Sequence, residues 1–372
     1  MNHSQLSEAE LIAVLRLQSI PNIGAVTAKK LISHCGGPIA VFGDKRHHLL
    51  KIDGIGTYTL QGLYDAEHLE AAQQEYAYIK SNDIGYSYFM AEDYPMFLKH
   101  CIDSPVLLFR RGNIELKGRK IISIVGTRNI TSYGMAFCER FIEEVAPLDP
   151  IIVSGFAYGV DICAQKSAIK HGLQTIGCLA HGLNQIYPKV HSKYVAEVEK
   201  HGGFFTEFLS TSNPDRENFL KRNRIIAGMS EATVVVESAE KGGSLVTADI
   251  ANSYNRDVFA VPGRAEDKYS TGCNNLIKQQ KAQMLTSAAD LVYLLGWQVE
   301  KEESKTIQKQ LFVELNETEQ SIYTYLQKDG KQLLDSIALE CKLPIFRVSS
   351  TLLNMEMKGV IRPLPGKLFE AI

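Results

Sequence analysis

The clearest hydrophobic pattern lies in the middle of the chain. Short apolar runs recur at Ile121–Val125, Ile151–Val153, Thr175–Leu179, Phe204–Thr206, Thr233–Val236 and Val258–Val261. Each is rich in β-branched or aromatic residues, as strands buried on both faces are. Between them lie stretches with helical character at Tyr133–Val145, Val160–His171, Lys193–Lys200, Asn218–Met229 and Ser244–Ser253. This alternation predicts an α/β fold, a doubly wound and mostly parallel sheet with helices on both faces and right-handed crossovers. Ligands of such sheets bind outside the carboxyl ends of the strands.

The flanks differ. Residues 1–80 are predicted helical, with helical apolar spacing at Leu11–Leu17, a short piece at Lys29–Ile32 after a glycine turn, and a helix at Glu70–Ile79. Two turns there, Ile20-Pro21-Asn22-Ile23-Gly24 and Ile52-Asp53-Gly54-Ile55-Gly56, each precede a helical stretch and resemble helix-hairpin-helix turns. They serve either as plain structural turns or as amide donors to phosphate. Residues 88–296 hold the α/β pattern, 297–311 form a polar linker dense in Glu and Lys, and 312–372 form a small separate unit. In that unit Asn316 and Glu319 suit a capping box. Helices are expected at Glu317–Gln327, Leu333–Cys341 and Ile345–Lys358. Two β-like runs around Gly366 then complete what resembles a winged helix. Its third helix carries only Arg347 and Lys358 as cations, few for a helix that reads duplex DNA, which favours protein contact or weak DNA contact over sequence-specific repression.

Composition narrows the function classes. The 372 residues are 45% hydrophobic and 22% charged, ordinary for a globular protein. No apolar run approaches the ~20 residues of a membrane span, and the N-terminus lacks a signal-peptide core, so a cytoplasmic protein is expected. Seven scattered cysteines without a CxxC pair imply neither a disulfide framework nor a zinc site, and no metal or cofactor is expected. A net charge of −2 confines any polyanion site to a local basic groove on a neutral surface.

The chemistry concentrates after the strands. Gly126-Thr127-Arg128 follows the first, and Ser154-Gly155-Phe156-Ala157-Tyr158-Gly159-Val160-Asp161 the second. Glu237 and then Lys241-Gly242-Gly243-Ser244-Leu245-Val246-Thr247 follow the fifth, opening a helix. Small residues there let backbone N–H groups approach an anion, Ser244 and Thr247 add hydroxyls, and Arg128 offers a planar fork for phosphate. Any one such glycine turn is ordinary; several on one sheet edge point to phosphate. The spacing matches neither a dinucleotide fingerprint nor a Walker A loop. Lys221, Arg222 and Arg224, with Asn223 among them, sit in one helical turn; alone they read equally as a solvated charge cluster, but with Arg128 on the same sheet edge they suit tracking a polyanion rather than gripping one phosphate. Phe156, Tyr158 and Tyr187 are loop aromatics, available for core packing or for stacking bases. No catalytic constellation appears, so an enzyme is not expected. Asp161 and Glu237 are better read as orienting Arg128 or a backbone amide than as general bases.

Together these motifs resemble the DNA-processing protein A (DprA/Smf) family. The resemblance runs from about Tyr94 to Ala282 and includes Arg111-Gly112, Tyr187-Pro188, Arg222-Asn223-Arg224-Ile225-Ile226, Val261-Pro262-Gly263 and Gly272-Cys273-Asn274 besides the loops above. The chain departs from the family pattern at Val160, Gln165, His181 and Lys281. The resemblance implies an extended Rossmann-like domain, an N-terminal SAM-like helical domain and a C-terminal winged helix. It also implies single-stranded DNA binding, homodimerisation, and loading of RecA recombinase during natural transformation (competence). Arg128 carries over as the phosphate-gripping residue, with the Gly243–Thr247 turn and the Arg222/Arg224 helix around the DNA. The competing reading is a nucleotide phosphoribohydrolase of the lysine-decarboxylase-like Rossmann group. Its PGGxGTxxE mark is not met: no Pro precedes Gly242-Gly243, and Ala248-Asp249-Ile250 offers no Glu.

Overall fold

The structure, a computed structural model, describes residues 6–297, 315–364 and 367–372. The chain forms two compact units, Met1–Val299 and Glu300–Ile372.

The larger unit is built on one sheet. Its strands are β1 Gly85–Tyr88, β2 Leu107–Gly112, β3 Ile121–Val125, β4 Ile151–Ser154, β5 Thr175–Cys178, β6 Gly202–Thr206, β7 Ala232–Val235, β8 Asp257–Ala260 and β9 Gln283–Met284. They lie in the order β1-β2-β6-β5-β4-β3-β7-β8-β9. All pairs from β6 to β9 are parallel, while β1 and β2 add antiparallel strands at one edge. The six expected strands are present within a residue or two. The antiparallel edge and β9 are additions.

β3 shows why its run has no polar alternation. Ile121 and Val125 pack on one face with Ile225 and Ile226 of the Arg216–Met229 helix. Ile122 and Ile124 pack on the other with Phe137 and Phe141 of the Ser132–Val145 helix. Strand order reverses here: β3 bonds β4 on one side and β7 on the other. The loops after β3, β4 and β7 therefore open onto one crevice, the place where doubly wound sheets hold ligands.

The N-terminal helices Glu8–Ser19, Ala25–Cys35 and Ala66–Ser81 share a core with the sheet. Leu15, Leu31 and Ile79 cluster with Leu107, Phe109 and Phe204. Across this seam the buried Glu75 carboxylate accepts from Ser210 N and Oγ, and Lys29 Nζ donates to Ser104 Oγ. Burial, then the charge of Arg224, brings the Lys29 ammonium down to about 8. Gly24 precedes a helix as expected, but the second glycine turn does not: consecutive turns fill 57–64, and Gly62, at φ +80°, stops a helix from propagating. The Lys193–Lys200 segment likewise begins as a 3₁₀ turn, Lys189–Tyr194, before one α-helical piece, Val195–Lys200. The linker loses its first residue, because Trp297 is packed into the core and its Nε1 donates to Glu231 (3.0 Å). Its remaining residues, 298–311, lie outside the described residues.

The smaller unit holds helices Glu317–Asp329, Leu334–Glu340 and Ile345–Met357 against a three-stranded antiparallel sheet. Its strands are β10 Gln332–Leu333, β11 Ile361–Leu364 and β12 Leu368–Ala371, with β12 in the centre. This is a winged helix. The expected capping box is formed by Asn316 and Glu319. Ile322, Leu326, Ile337, Val348, Leu352 and Met355 fill the core. The outer face of the third helix is apolar as well: Phe346 is 77% and Met357 82% exposed, with Leu353 beside them.

Candidate nucleic-acid interface

At the carboxyl ends of β3, β4 and β7 lies an open groove of about 900 Å³. Gly126, Thr127 and Arg128 line it from the loop after β3, and Lys241, Gly242, Gly243, Ser244 and Thr247 from the loop after β7. Arg222 and Asn223 line it from the Arg216–Met229 helix.

Arg128 is exposed, and its guanidinium carbon stands 5.2 Å from the Phe219 ring centre, a cation–π seat that holds the fork over the groove. The helix Gly243–Ser253 starts without a side-chain cap, and its first residues, Gly243 and Ser244, line the groove. Asn223 Nδ2 donates to Gly243 O and ties the two helices together.

Two glycines let the walls close. Gly155 leaves the space that Arg222 and Asp161 occupy, where a Cβ would overlap both. Gly159, at φ +75°, packs on the Thr127 carbonyl; the next amide, Val160 N, donates to that same oxygen (3.1 Å). The β3 and β4 loops are thus locked backbone to backbone.

Beneath the groove sits a buried charge system. Arg222 is 4% exposed and its guanidinium donates to Cys178 O (2.9 Å). Burial pushes the Asp161 carboxyl up, and the nearby charge of Arg222 pulls it back. The same carboxylate accepts from Gly155 N (3.1 Å) and Ala157 N (3.3 Å), so it orients backbone amides. Glu237 is engaged by the amide and hydroxyl of Thr131.

Several sequence-based expectations need correction. Arg224 does not face the groove; it pairs with Glu207 and the Asp103 carbonyl on another side of its helix. Residues two apart on a helix are about 200° apart, so Arg222 and Arg224 cannot share a face. Ser154 is buried and donates to Ile124 O; Phe156, fully buried, takes the core-packing alternative. Gly155, Tyr158 and Gly159 shape or flank the site without lining it. The Ser244 hydroxyl donates to Ser238, and that of Thr247 back-bonds to Gly243 O, so neither is a spare donor. Arg216, Lys268 and Tyr269 also line the groove and were not anticipated. Arg216 is legible as the residue after the Asp215 helix cap. Lys268 and Tyr269 lie in a long loop after β8 that no local pattern distinguishes.

Fold and groove define the class: a Rossmann-like α/β protein with an open, cationic and aromatic-rimmed groove at its strand ends, and a winged helix besides. The family model for DNA recombination-mediator protein A matches residues 86–296, and the DprA winged helix domain matches 310–367. The chain belongs to the DNA recombination-mediator protein A family. It is 41% identical over 203 residues to DNA processing protein DprA of Bacillus subtilis, covering 54% of this chain and 68% of that one. It is 32% identical over 291 residues to protein Smf of Escherichia coli, covering 74% of each. Among solved structures it resembles DprA of Streptococcus pneumoniae, with TM-score 0.65, 27% identity, and 78% of this chain and 98% of that one covered. It also resembles DprA of Helicobacter pylori, which was studied for its single-stranded DNA binding mode, with TM-score 0.51, 29% identity, and coverage of 56% and 95%.

Proposed function

We propose that the groove holds single-stranded DNA and that the chain is a non-catalytic recombination mediator. The observation that carries this reading is the exposed Arg128 fork, seated on Phe219 opposite the uncapped Gly243–Ser253 helix. Phosphates suit the fork and the amides, and unpaired bases suit Phe219, Tyr187 and Tyr269 at the rim. Duplex DNA hides its base faces and gains nothing from such a rim. The carboxylates at the site serve backbone amides and a threonine, which supports binding without turnover. Family membership supports the further role of protecting incoming single strands and loading RecA recombinase onto them during natural transformation, in the cytoplasm and as a homodimer.

The test is a titration of the full chain with labelled oligothymidylate across a salt series, with unlabelled duplex as competitor. Single strands should bind with strong salt dependence, and duplex should compete weakly. Equal competition by duplex would overturn the groove reading. RecA filament nucleation on bound strands should accelerate, and no acceleration would remove the loading role alone. Free base released from nucleoside monophosphates would overturn the non-catalytic reading.

A further inference from the structure

A second cavity, of about 760 Å³, adjoins the groove and shares Lys268 and Tyr269 with it. It is lined by the start of the Ser132–Val145 helix, by Glu237 after β7, and by the loop after β8. Its size falls within the range of small-ligand sites, about 300–1,000 Å³.

Depth sorts its polar groups. Glu237 is 3% and Ser270 5% exposed, whereas Arg264, Asp267 and Lys268 are open to solvent. Thr131 gives each oxygen of the Glu237 carboxylate one hydrogen bond, from its amide and from its hydroxyl. A carboxylate has about four acceptor positions, so both oxygens can take a further donor. The Ser270 hydroxyl has no hydrogen-bond partner among the described residues, and does not cap the helix it precedes. Buried hydroxyls are normally satisfied, so this one is a donor in waiting. It lies against Gly263 at the cavity wall, where a Cβ would come within 2.0 Å of Oγ. Main chain pins its segment beside Glu237: Ser238 N donates to Tyr269 O (2.7 Å) and Gly272 N to Ser238 O (2.9 Å).

The outer part has different chemistry. Arg264 and Lys268 stand there with one carboxylate, Asp267, and among the described residues neither cation is in an ion pair. Tyr133 and Tyr269 add rings, and Tyr133 OH donates to Pro262 O (2.8 Å), which holds its ring to the loop. A bare anion would meet Glu237 and a bare cation would meet Arg264 and Lys268. The cavity fits a ligand with phosphate at one end, a flat aromatic body, and adjacent N–H donors beside a carbonyl at the other. Guanine carries that edge: N1–H and N2–H suit the carboxylate, and O6 suits the hydroxyl. Adenine, cytosine and uracil lack the paired donors.

We infer that this cavity binds a free guanine nucleotide, its base edge on Glu237 and Ser270 and its phosphate on Arg264 and Lys268. The inference goes beyond the DNA reading and does not depend on it.

The experiment is isothermal titration of the full chain with guanosine, adenosine, uridine and xanthosine monophosphates, and with guanosine itself. Guanosine monophosphate should bind about tenfold or more tighter than the adenosine and uridine nucleotides. Ser270→Ala should weaken it about threefold to tenfold. Arg264→Ala should shrink the advantage of the monophosphate over guanosine. Glu237→Gln should move the preference from guanosine to xanthosine monophosphate, since an amide pairs one acceptor and one donor with xanthine N1–H and O2. A folding defect produces no such gain. Arg128→Ala should bind guanosine monophosphate as the unaltered chain does. Equal affinity for all the nucleotides, or none for any, overturns the inference. So does loss of guanosine monophosphate binding in Arg128→Ala, which would put the nucleotide in the groove and leave the groove reading standing.

Discussion

Two exposed surfaces of this protein have opposite chemistry. The groove edge of the large unit presents Arg128, Lys241 and Lys268 among aromatic rings. The outer face of the third helix of the winged unit presents Phe346, Leu353 and Met357, with Arg347 the cation near its start. A helix that reads a major groove is normally basic along that face. The difference teaches that the winged fold here does not by itself mean duplex recognition: the exposed cations line the groove at the strand ends of the sheet, and the outer face of the helix is apolar instead.

Substitutions sharpen or break this contrast, beginning with the largest effect. Arg224→Ala removes one partner of a largely buried ion pair and leaves Glu207 without its charge. We expect a loss of about 3–5 kcal/mol in denaturant unfolding of the large unit. The salt slope of DNA binding should not change, because Arg224 faces away from the groove. A changed slope would put Arg224 back among the DNA contacts.

Arg128→Ala should leave unfolding nearly unchanged and cost about 1.5–3 kcal/mol of single-strand affinity, the range for hydrogen bonds to charged groups. Its salt slope should fall by about 0.7, one phosphate contact on a single strand. Isothermal titration at several salt concentrations checks both.

Lys29 gives a pH test at the seam. Its folded value, about 8, lies below that of the unfolded chain, so between the two the unfolded state holds more protons. Stability from this group should rise as pH climbs through 8 toward the ordinary lysine value. Lys29→Met should remove that rise in melting curves across the same window.

The smallest effect is expected on the winged unit. Phe346→Ala and Met357→Ala should shift unfolding by no more than about 0.5 kcal/mol, since both side chains project into solvent. Single-strand affinity should stay the same. A clear loss of DNA affinity would collapse the contrast between the two surfaces.

Much of this arrangement was legible in the residues. β3 to β8 announce themselves because burial on both faces demands unbroken apolar runs, and the glycines between them mark where loops meet. The antiparallel strands β1 and β2 were silent for the same reason. Gly85-Tyr86-Ser87-Tyr88 mixes polar and aromatic residues, and Leu107–Gly112 ends in Arg110 and Arg111 at the outer rim. The outward turn of Arg224 is legible in the sequence, since helical geometry separates it from Arg222. Lys268 and Tyr269 were not recoverable, because only the folded path of the loop after β8 brings them to the groove.

The lock between Gly159 and the Thr127 carbonyl has one more consequence. Neither loop can hinge alone, so the position of the β3 loop against the β4 loop is fixed by main chain before any ligand arrives. Little ordering entropy is then lost at capture, and the side chains hanging from this frame can be exchanged without re-cutting it. Altered grip or altered preference in this scaffold is best sought at those side chains, with the two loops left intact.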